Sequence, residues 1–422
     1  MEPICRGLDW KTVPKTLAIA LLACAGGLPM CADTVAVLPF ANTPRITSGN
    51  TANLDWIGES IAGTLRDVLA SRGVVAFDRD EIQQAYHRLN LRERALLTQA
   101  SVVKIGETLD AEHVIFGTFE FQPANNTGES RGSLKVSARV VDRRRMQESP
   151  WFDETGALDD LATIEAHLAW RALTLVAPKL APLESEFRSM RPPVRLDAEE
   201  NYFRGLMTDN LEQQEKYFTA SARLDARFAH PCYRLGQIYF QRKEYRHAAD
   251  WLEKVGPDDA NYHRAIFLLG SARFQTGDYA SALKAFQTLA AAVPLSEIYN
   301  NLGAAESRLN RLPQAVDDFR KASEGDPGDP AYHFNTGYAL WKKGDFPAAA
   351  DRFRAALDRD PGDQMATLLL GRCLKKQAVR TDANSPDARL QSLERLKTNF
   401  EERAYLQLKS LLDTKKFDTA IP

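Results

Sequence analysis

Six glycines recur at nearly constant spacing through the second half of this 422-residue chain. They lie 31, 34, 33, 34 and 34 residues apart, at Gly205, Gly236, Gly270, Gly303, Gly337 and Gly371. Alanine follows four of them after twelve residues, phenylalanine or leucine after sixteen, and proline follows three of them after twenty-four. A period of this length indicates stacked supersecondary units, because one unit cannot bury its apolar face alone.

Each recurring position has a physical role in a pair of antiparallel helices. A small residue lets the two helices approach closely, phenylalanine fills the space beside it, and proline ends the second helix. Gly344-Asp345 fits the turn inside a pair. Asp329-Pro330 and Asp363 fit the start of the next pair, with aspartate as the N-cap and proline in the first helical position. The sequence therefore predicts a helical array.

The pattern resembles the tetratricopeptide repeat, most fully from Gly337-Tyr338 to Pro361. The resemblance covers residues 198–378, about five to six repeats, and implies an all-α solenoid with a concave binding groove. In such repeats the first helix of each pair lines the groove. The candidate residues of the partner-binding groove are Tyr233, Gln237, Phe267, Phe274, Asn301, Phe334, Asn335, Tyr338, Trp341, Arg372 and Lys375.

These groove residues favour a protein or an extended peptide as the partner. Tyrosine and tryptophan are common anchors at interfaces, and Asn301 and Asn335 have amides that can bond a peptide main chain. The paired lysine and asparagine of a carboxylate clamp are absent, so a partner ending in an acidic C terminus is not predicted. A groove filled by the protein's own tail would argue against the role.

The end of the chain, residues 379–422, is predicted to form capping helices and a tail. Between Ala388 and Leu412 the apolar residues recur at helical spacing. They are Leu390, Leu393, Leu396, Tyr405, Leu408 and Leu412. This spacing predicts a helical cap on the last repeat.

Residues 33–180 predict a mixed α/β, sandwich-like domain, followed by a proline-containing linker over residues 181–197. Short apolar runs indicate buried strands. Alternation of apolar and polar residues indicates a strand with one solvent-exposed face. The predicted elements, in chain order, are strand 35–40, helix 54–72, strand 74–77, a helix capped by Asp78, helix 100–108, strands 113–119 and 134–140, and a helix from Leu161 to Pro178. The chain is thus predicted to be multidomain, with this domain before the solenoid.

Four strings of this domain, at residues 35–42, 56–59, 111–117 and 137–142, carry a second resemblance. They resemble the exported α/β module shared by curli-secretion CsgG-like proteins and the amino-terminal domain of TolB. The resemblance implies an envelope protein that associates with itself or with others through this domain. The extra hairpins of a secretion pore are lacking, so channel activity is not implied.

Residues 1–32 predict a secretory signal peptide, because basic residues precede an apolar run over residues 17–25 that is too short to span a bilayer. Cleavage after Ala32 is one interpretation. The other is a lipoprotein box in which Cys24 becomes the acylated first residue. Either way we expect an exported chain in the periplasm or associated with the envelope, and no later apolar run is long enough for a transmembrane helix.

Composition and motifs argue against several functions. Lys+Arg 54 against Asp+Glu 56 gives a formal net charge of −2, so a nucleic-acid partner is not expected. No zinc, phosphate-loop, dinucleotide or nucleophile-elbow motif occurs, and we predict no catalytic, cofactor or metal residues. We interpret Asp78 and Glu81 as a helix cap. Cys232 and Cys373 lie in distant repeats and are expected to be buried and unbridged.

The sequence therefore predicts a non-catalytic envelope scaffold that grips a protein in its groove. The alternative is a small-ligand receptor or an enzyme that uses a cleft at the strand ends of the first domain.

Overall fold

The computed structural model describes residues 34–43, 54–92, 95–124, 131–189, 193–378, 390 and 392–401. The predicted signal peptide, including Cys24, lies outside the described residues.

The first half contains one mixed sheet. Its strands are β1 (Thr34–Val37), β2 (Ala41–Asn42), β3 (Val75–Ala76), β4 (His113–Pro123), β5 (Gly132–Asp142), β6 (Gln147–Glu148) and β7 (Phe152–Ala157). The order is β3-β1-β4-β5-β6, with β2 beside β4 and β7 beside β5. β1 is parallel to β3 and β4, whereas β5 is antiparallel to β4, β6 and β7. All four predicted strands are present, although β1 ends at Val37 and not at residue 40, and β2, β6 and β7 were not predicted.

Helices cover both faces of this sheet. They are α1 (Asp55–Ser71), α2 (Arg79–Arg88), α3 (Gln99–Leu109) and α4 (Leu161–Val176). Alternation along β1 sends Val35 and Val37 toward α1 and α4, and Ala36 toward α2 and α3. α2 begins with the predicted capping box of Asp78 and Glu81, in which the Asp78 N–H donates to Glu81 Oε2 at 2.8 Å.

The second half is a series of antiparallel helix pairs. After the short α5 (Glu184–Ser189), the helices are α6 (Leu196–Leu206), α7 (Leu211–Leu224), α8 (His230–Gln241), α9 (Tyr245–Leu252), α10 (Tyr262–Gln275), α11 (Tyr279–Ala292), α12 (Ser296–Arg308), α13 (Leu312–Gly325), α14 (Pro330–Lys343), α15 (Phe346–Leu357) and α16 (Gln364–Leu374). Asp329 and Asp363 cap α14 and α16 as predicted, and Gly344 has a φ of 88° in the predicted turn.

The recurring glycines have the predicted packing role in five of six repeats. A Cβ atom added at each would lie between 2.4 and 3.1 Å from a leucine or phenylalanine of the paired helix; the five are Gly205, Gly236, Gly270, Gly303 and Gly337. At Gly371 nothing lies within 4 Å, since no partner helix for α16 is among the described residues. In the first pair, Phe218 fills the space thirteen residues after Gly205 instead of sixteen.

One hydrophobic cluster joins the two halves. It runs from Val35 of β1 through Ile61 of α1 and Phe203 of α6 to Ile238 of α8. Phe187 of α5, inside the predicted linker, is also buried in it. A division into two domains at residues 181–197 is therefore not confirmed, because the apolar core continues across it.

The predicted helical cap is wrong for residues 392–401, which form neither helix nor strand. Leu390 and Leu393 pack on one cluster of the repeats, and Leu396 on another. Polar side chains of the repeats bond the N–H and C=O groups of this segment, so a helical ladder is not needed to satisfy them. The apolar spacing reflects contacts with successive repeats.

Cys232 and Cys373 are free and buried, as predicted. Burial raises the pKa of the Cys373 thiol to about 11. Both cysteines therefore serve as small apolar side chains.

Candidate functional site

The concave face of the later repeats is covered by residue 390 and residues 392–401, here called the tail segment. Leu390 lies against α14 and Phe400 against α10, so the segment runs opposite to the order of the repeats. Between them it crosses α12. The groove predicted from the sequence is thus present, but the chain itself occupies it. By the criterion derived from the sequence, this arrangement argues against partner binding.

Two asparagines hold the main chain of the tail segment. Asn335 Oδ1 accepts the N–H of Arg395 at 2.9 Å, and its Nδ2 donates to the Arg395 carbonyl at 2.8 Å. Asn301 makes the same pair of bonds with Lys397, at 2.8 and 2.9 Å. Asn300 Nδ2 donates to the Arg395 carbonyl as well, at 2.8 Å. Because every one of these bonds goes to peptide groups, the contact does not depend on side-chain identity.

At the α14 end of the groove, two aromatic side chains donate hydrogen bonds to carbonyl oxygens, one in the tail segment and one at the end of the repeats. The Tyr338 hydroxyl donates to the Leu390 carbonyl at 2.6 Å, and Trp341 Nε1 donates to the Gln377 carbonyl at 2.8 Å. Both rings are fully buried. Burial raises the pKa of the Tyr338 phenol, which keeps the hydroxyl protonated as a donor.

Ring contacts fix two further side chains of the tail segment. Phe400 stacks on Phe267 with centroids 5.3 Å apart. The Arg395 guanidinium lies 3.5 Å from the centroid of the Phe334 ring, a cation–π geometry. Each ring contact depends on the identity of a side chain in the tail segment, whereas the asparagine bonds to the main chain do not.

A carboxylate socket, formed by Ser307, Arg308 and Lys342, encloses Glu394. Ser307 Oγ donates to Glu394 Oε1 at 2.7 Å, and Lys342 Nζ lies 3.4 Å from the same oxygen. Arg308 Nε lies 2.7 Å from Oε2 as an ion pair, not an aligned hydrogen bond. The Glu394 side chain is 0% exposed. Burial lowers the pKa of Lys342, although the Glu394 charge opposes this effect.

Acidic side chains of the groove meet the basic residues of the tail segment. Arg395 forms a double contact with Asp363, at 2.7 and 2.9 Å. Burial alone would raise the pKa of Asp363, but the Arg395 hydrogen bond and main-chain N–H groups lower it. Lys397 pairs with Asp329, the cap of α14. Charges in groove and segment are thus complementary, position by position.

The predicted groove residues fall into three groups. The residues that contact the tail segment are Phe267, Asn301, Phe334, Asn335 and Tyr338. Trp341 reaches Gln377, and Phe274 packs under Arg308. Arg372 is partly exposed and Lys375 exposed, at the far end of the array.

Tyr233 and Gln237 lie away from the tail segment, beside the first half of the molecule. Gln237 Nε2 donates to the Tyr233 hydroxyl at 3.0 Å. Both line a small cavity of about 130 Å³ with Arg66 and Asp78. The inner face of the first repeats is therefore closed by the α/β half.

A buried carboxyl pair lies where the two halves meet. Ser60 Oγ of α1 is 2.6 Å from Glu165 Oε1 of α4 and 2.7 Å from Glu199 Oε1 of α6. Thr64 donates to the other Glu165 oxygen at 2.7 Å. Burial and the neighbouring Glu199 charge raise the pKa of Glu165 well above its usual range, and burial also raises that of Glu199.

A partly buried histidine lies beside this pair. His230 Nε2 is 2.7 Å from Asp67 Oδ2, and its Nδ1 is 3.0 Å from Asp259 Oδ2. Burial lowers the pKa of His230, but the two carboxylates outweigh it and raise the pKa well above the usual value. A cavity of about 740 Å³ opens next to these groups. Sequence reasoning missed this cluster, since its residues come from separate helices with no motif to link them.

Within the described ranges, no group of three or more His, Cys, Asp or Glu side chains is arranged to hold a metal ion. None of the helices in that part of the chain combines the length and apolar character needed to cross a bilayer.

Comparison with protein families supports the repeat assignment. Tetratricopeptide repeat profiles match residues 229–255, 267–330 and 334–390. No curated protein gives a match.

Several solved structures are similar to part of this chain. YrrB, a TPR protein with an unusual peptide-binding site, is 23% identical over 42% of this chain and 92% of its own, with a TM-score of 0.38. A MamA fragment from Desulfovibrio magneticus RS-1 is 23% identical over 40% of this chain and 95% of its own, with a TM-score of 0.36. The TPR2B domain of yeast Sti1, in complex with pHsp70, is 22% identical over 27% and 98%, with a TM-score of 0.26.

Proposed function

We propose that this chain, whose second half carries tetratricopeptide repeats, is a non-catalytic scaffold that binds a protein partner in its concave groove. The observation that carries the proposal is the hydrogen bonding of Asn335 and Asn301. Each asparagine side chain bonds both the N–H and the C=O of one residue of the tail segment that lies in the groove. Side chains placed in this way hold an elongated polypeptide by its main chain. The groove is thus built to hold peptide.

The tail segment limits when a partner can bind. A tethered segment has an effective concentration on the order of millimolar, so a free peptide of equal intrinsic affinity competes poorly. The role therefore requires that the tail segment leaves the groove. Its contacts with the inner face of the repeats are hydrogen bonds, ion pairs and the packing of Leu390, Leu393, Leu396 and Phe400 on the repeat clusters. Exchange breaks these contacts and leaves the packing within the helix pairs in place.

The test cuts the covalent link between the repeats and the tail segment, so that a free peptide can compete with the segment for the groove. A recognition site for a specific protease is inserted between residues 380 and 388 of the full chain, and the folded protein is cut. A fluorescent peptide with the sequence of residues 388–402 is then added, and fluorescence anisotropy measures its binding. We expect it to replace the cut segment, and the combined variant Asn301→Ala, Asn335→Ala to bind it at least about tenfold more weakly.

Asn201→Ala is the matched control, since Asn201 bonds only within α6 in the described part of the chain. It should leave binding unchanged. Failure of the peptide to enter the cut protein, or equal binding to the double-alanine variant, would contradict the proposed role of the groove.

We further propose that the chain is exported to the bacterial envelope. The proposal is supported by the basic and apolar pattern of residues 1–32 and by the resemblance of residues 33–180 to CsgG-like and TolB amino-terminal modules. The mass of the mature N-terminal peptide tests it: a chain that begins after Ala32, or at an acylated Cys24, supports export, and an intact Met1 does not.

A further inference from the structure

We infer that the groove selects a partner segment with an acidic side chain at the position of Glu394, followed directly by a basic one. The inference rests on the proposed function and names the class of partner. The tail segment is then a resident copy of the sequence pattern that the groove recognises.

The carboxylate socket requires an acid because it is built from cations. Arg308 and Lys342 are 15% and 18% exposed, and both approach Glu394. A neutral residue at this position would leave two partly buried positive charges without a counter-charge, and a basic residue would add a third. An aspartate or glutamate of the partner is the side chain that the socket accepts.

The next residue of the tail segment faces the opposite chemistry. Arg395 lies between Asp363 and the ring of Phe334, which together favour a planar cation. Moving the segment by one residue would put Glu394 against Asp363 in one direction, or Arg395 against the carboxylate socket in the other. Alternating charges therefore fix the register, which the asparagine bonds alone leave free.

Apolar side chains complete the pattern. Leu396 and Phe400 pack against the cluster that includes Phe267 and Leu302, and Lys397 pairs with Asp329. The partner segment is therefore a linear polypeptide that reads acidic, basic, aliphatic, basic, any, any, aromatic. The carboxylate in this pattern comes from an internal side chain, so no free C terminus is required.

The closing experiment uses the cut full-length protein and four peptides of residues 388–402. These are the natural sequence, Glu394→Gln, Glu394→Lys, and one in which residues 394 and 395 exchange places so that composition is constant. We expect the exchanged and Glu394→Lys peptides to bind about 30-fold more weakly or worse, and Glu394→Gln to lie between.

A pair of protein variants identifies the socket as the cause. Lys342→Met should shrink the difference between the natural and the Glu394→Gln peptides, whereas Lys284→Met, at an exposed lysine of α11, should leave it unchanged. Equal binding of all four peptides would overturn the inference and leave the groove's role standing. If none of the peptides binds, the proposed function itself fails.

The uncut chain gives an independent measurement. Glu394→Lys should remove hydrogen-exchange protection from the Arg395 and Lys397 amides without changing that of the β4 amides. Retained protection at Arg395 and Lys397 would also overturn the inference.

Discussion

The inner face of the repeats is covered by two different neighbours. At the first repeats, Phe203 and Tyr202 of α6 belong to the same apolar cluster as the sheet, and a carboxyl pair shares one buried serine. At the later repeats the neighbour is the tail segment, which is bound through amides and ion pairs. The first contact is part of one continuous apolar core, whereas the second combines main-chain hydrogen bonds and ion pairs with apolar side chains such as Leu390 and Phe400.

The contrast shows that one solenoid is joined to the sheet by apolar packing and to its own tail segment by a mixture of polar and apolar contacts. Separating the sheet from the first repeats would expose the shared apolar surface, which costs free energy in proportion to its area. Main-chain hydrogen bonds exchange with water at a modest net cost. The three predictions below test whether the two contacts differ in this way.

The largest effect is expected for Phe203→Ala. The Phe203 ring fills the close approach of α6 to Gly63 of α1, where an added Cβ would lie 2.7 Å away. Truncation should lower the free energy of unfolding by about 3–5 kcal/mol, in a single transition, because the cavity opens in a shared core. Urea unfolding followed by circular dichroism measures it. Phe400→Ala, which removes a ring of the tail segment, is the comparison and should cost clearly less. Two separate transitions in Phe203→Ala would contradict a shared core.

A smaller effect is expected from the pH dependence of the joint. Since folding raises the pKa of Glu165 above its usual 4.5, the folded chain keeps a proton that the unfolded chain releases, and stability falls as the pH rises above that value. Glu165→Gln should remove up to about 1.4 kcal/mol of this loss per pH unit. Unfolding free energies between about pH 5 and pH 9 measure the slope. The pKa of His230 is also raised, so its titration likewise lowers the stability of the protein as the pH rises. This contribution is present in both the natural chain and Glu165→Gln, and it cancels when their slopes are compared.

Glu212→Gln, at an exposed position of α7, is the control for this measurement and should reproduce the slope of the natural chain. A Glu165→Gln protein with that same slope would show that the carboxyl pair does not hold the proton.

The smallest effect is expected for Lys397→Ala in the tail segment. Its partner Asp329 and Lys397 itself are 20% and 26% exposed, so the ion pair is partly screened and should contribute less than about 1 kcal/mol. Melting temperatures at low and high salt measure it, with Lys284→Ala, at an exposed lysine of α11, as the control, and the difference should fade as salt increases. A large, salt-independent loss would place the tail segment in the core.

The repeats were predictable because their signal is local. The contacts of Gly270 with Phe286 and of Gly337 with Phe353 follow from a fixed sequence spacing that each repeat displays. The sheet was predictable where its strands are continuously apolar, and β7 was missed because Phe152 is the only large apolar residue in its six positions.

The tail segment and the junction were not predictable for a different reason. Glu394 meets Arg308 across 86 residues, and Glu199 meets Ser60 across 139. Neither pair has a characteristic spacing, so their meeting depends on how the solenoid curves and on where it joins the sheet. The leucines of the tail segment even suggested a helix, because contacts with successive repeats can imitate helical spacing.

The shared core also has a mechanical consequence. Because α1 and α6 are packed side by side with no slack between them, any load on a polypeptide held in the groove passes directly into the sheet. If the α/β half is anchored, as the proposed scaffold role requires, its orientation would set the direction of a polypeptide held in the groove.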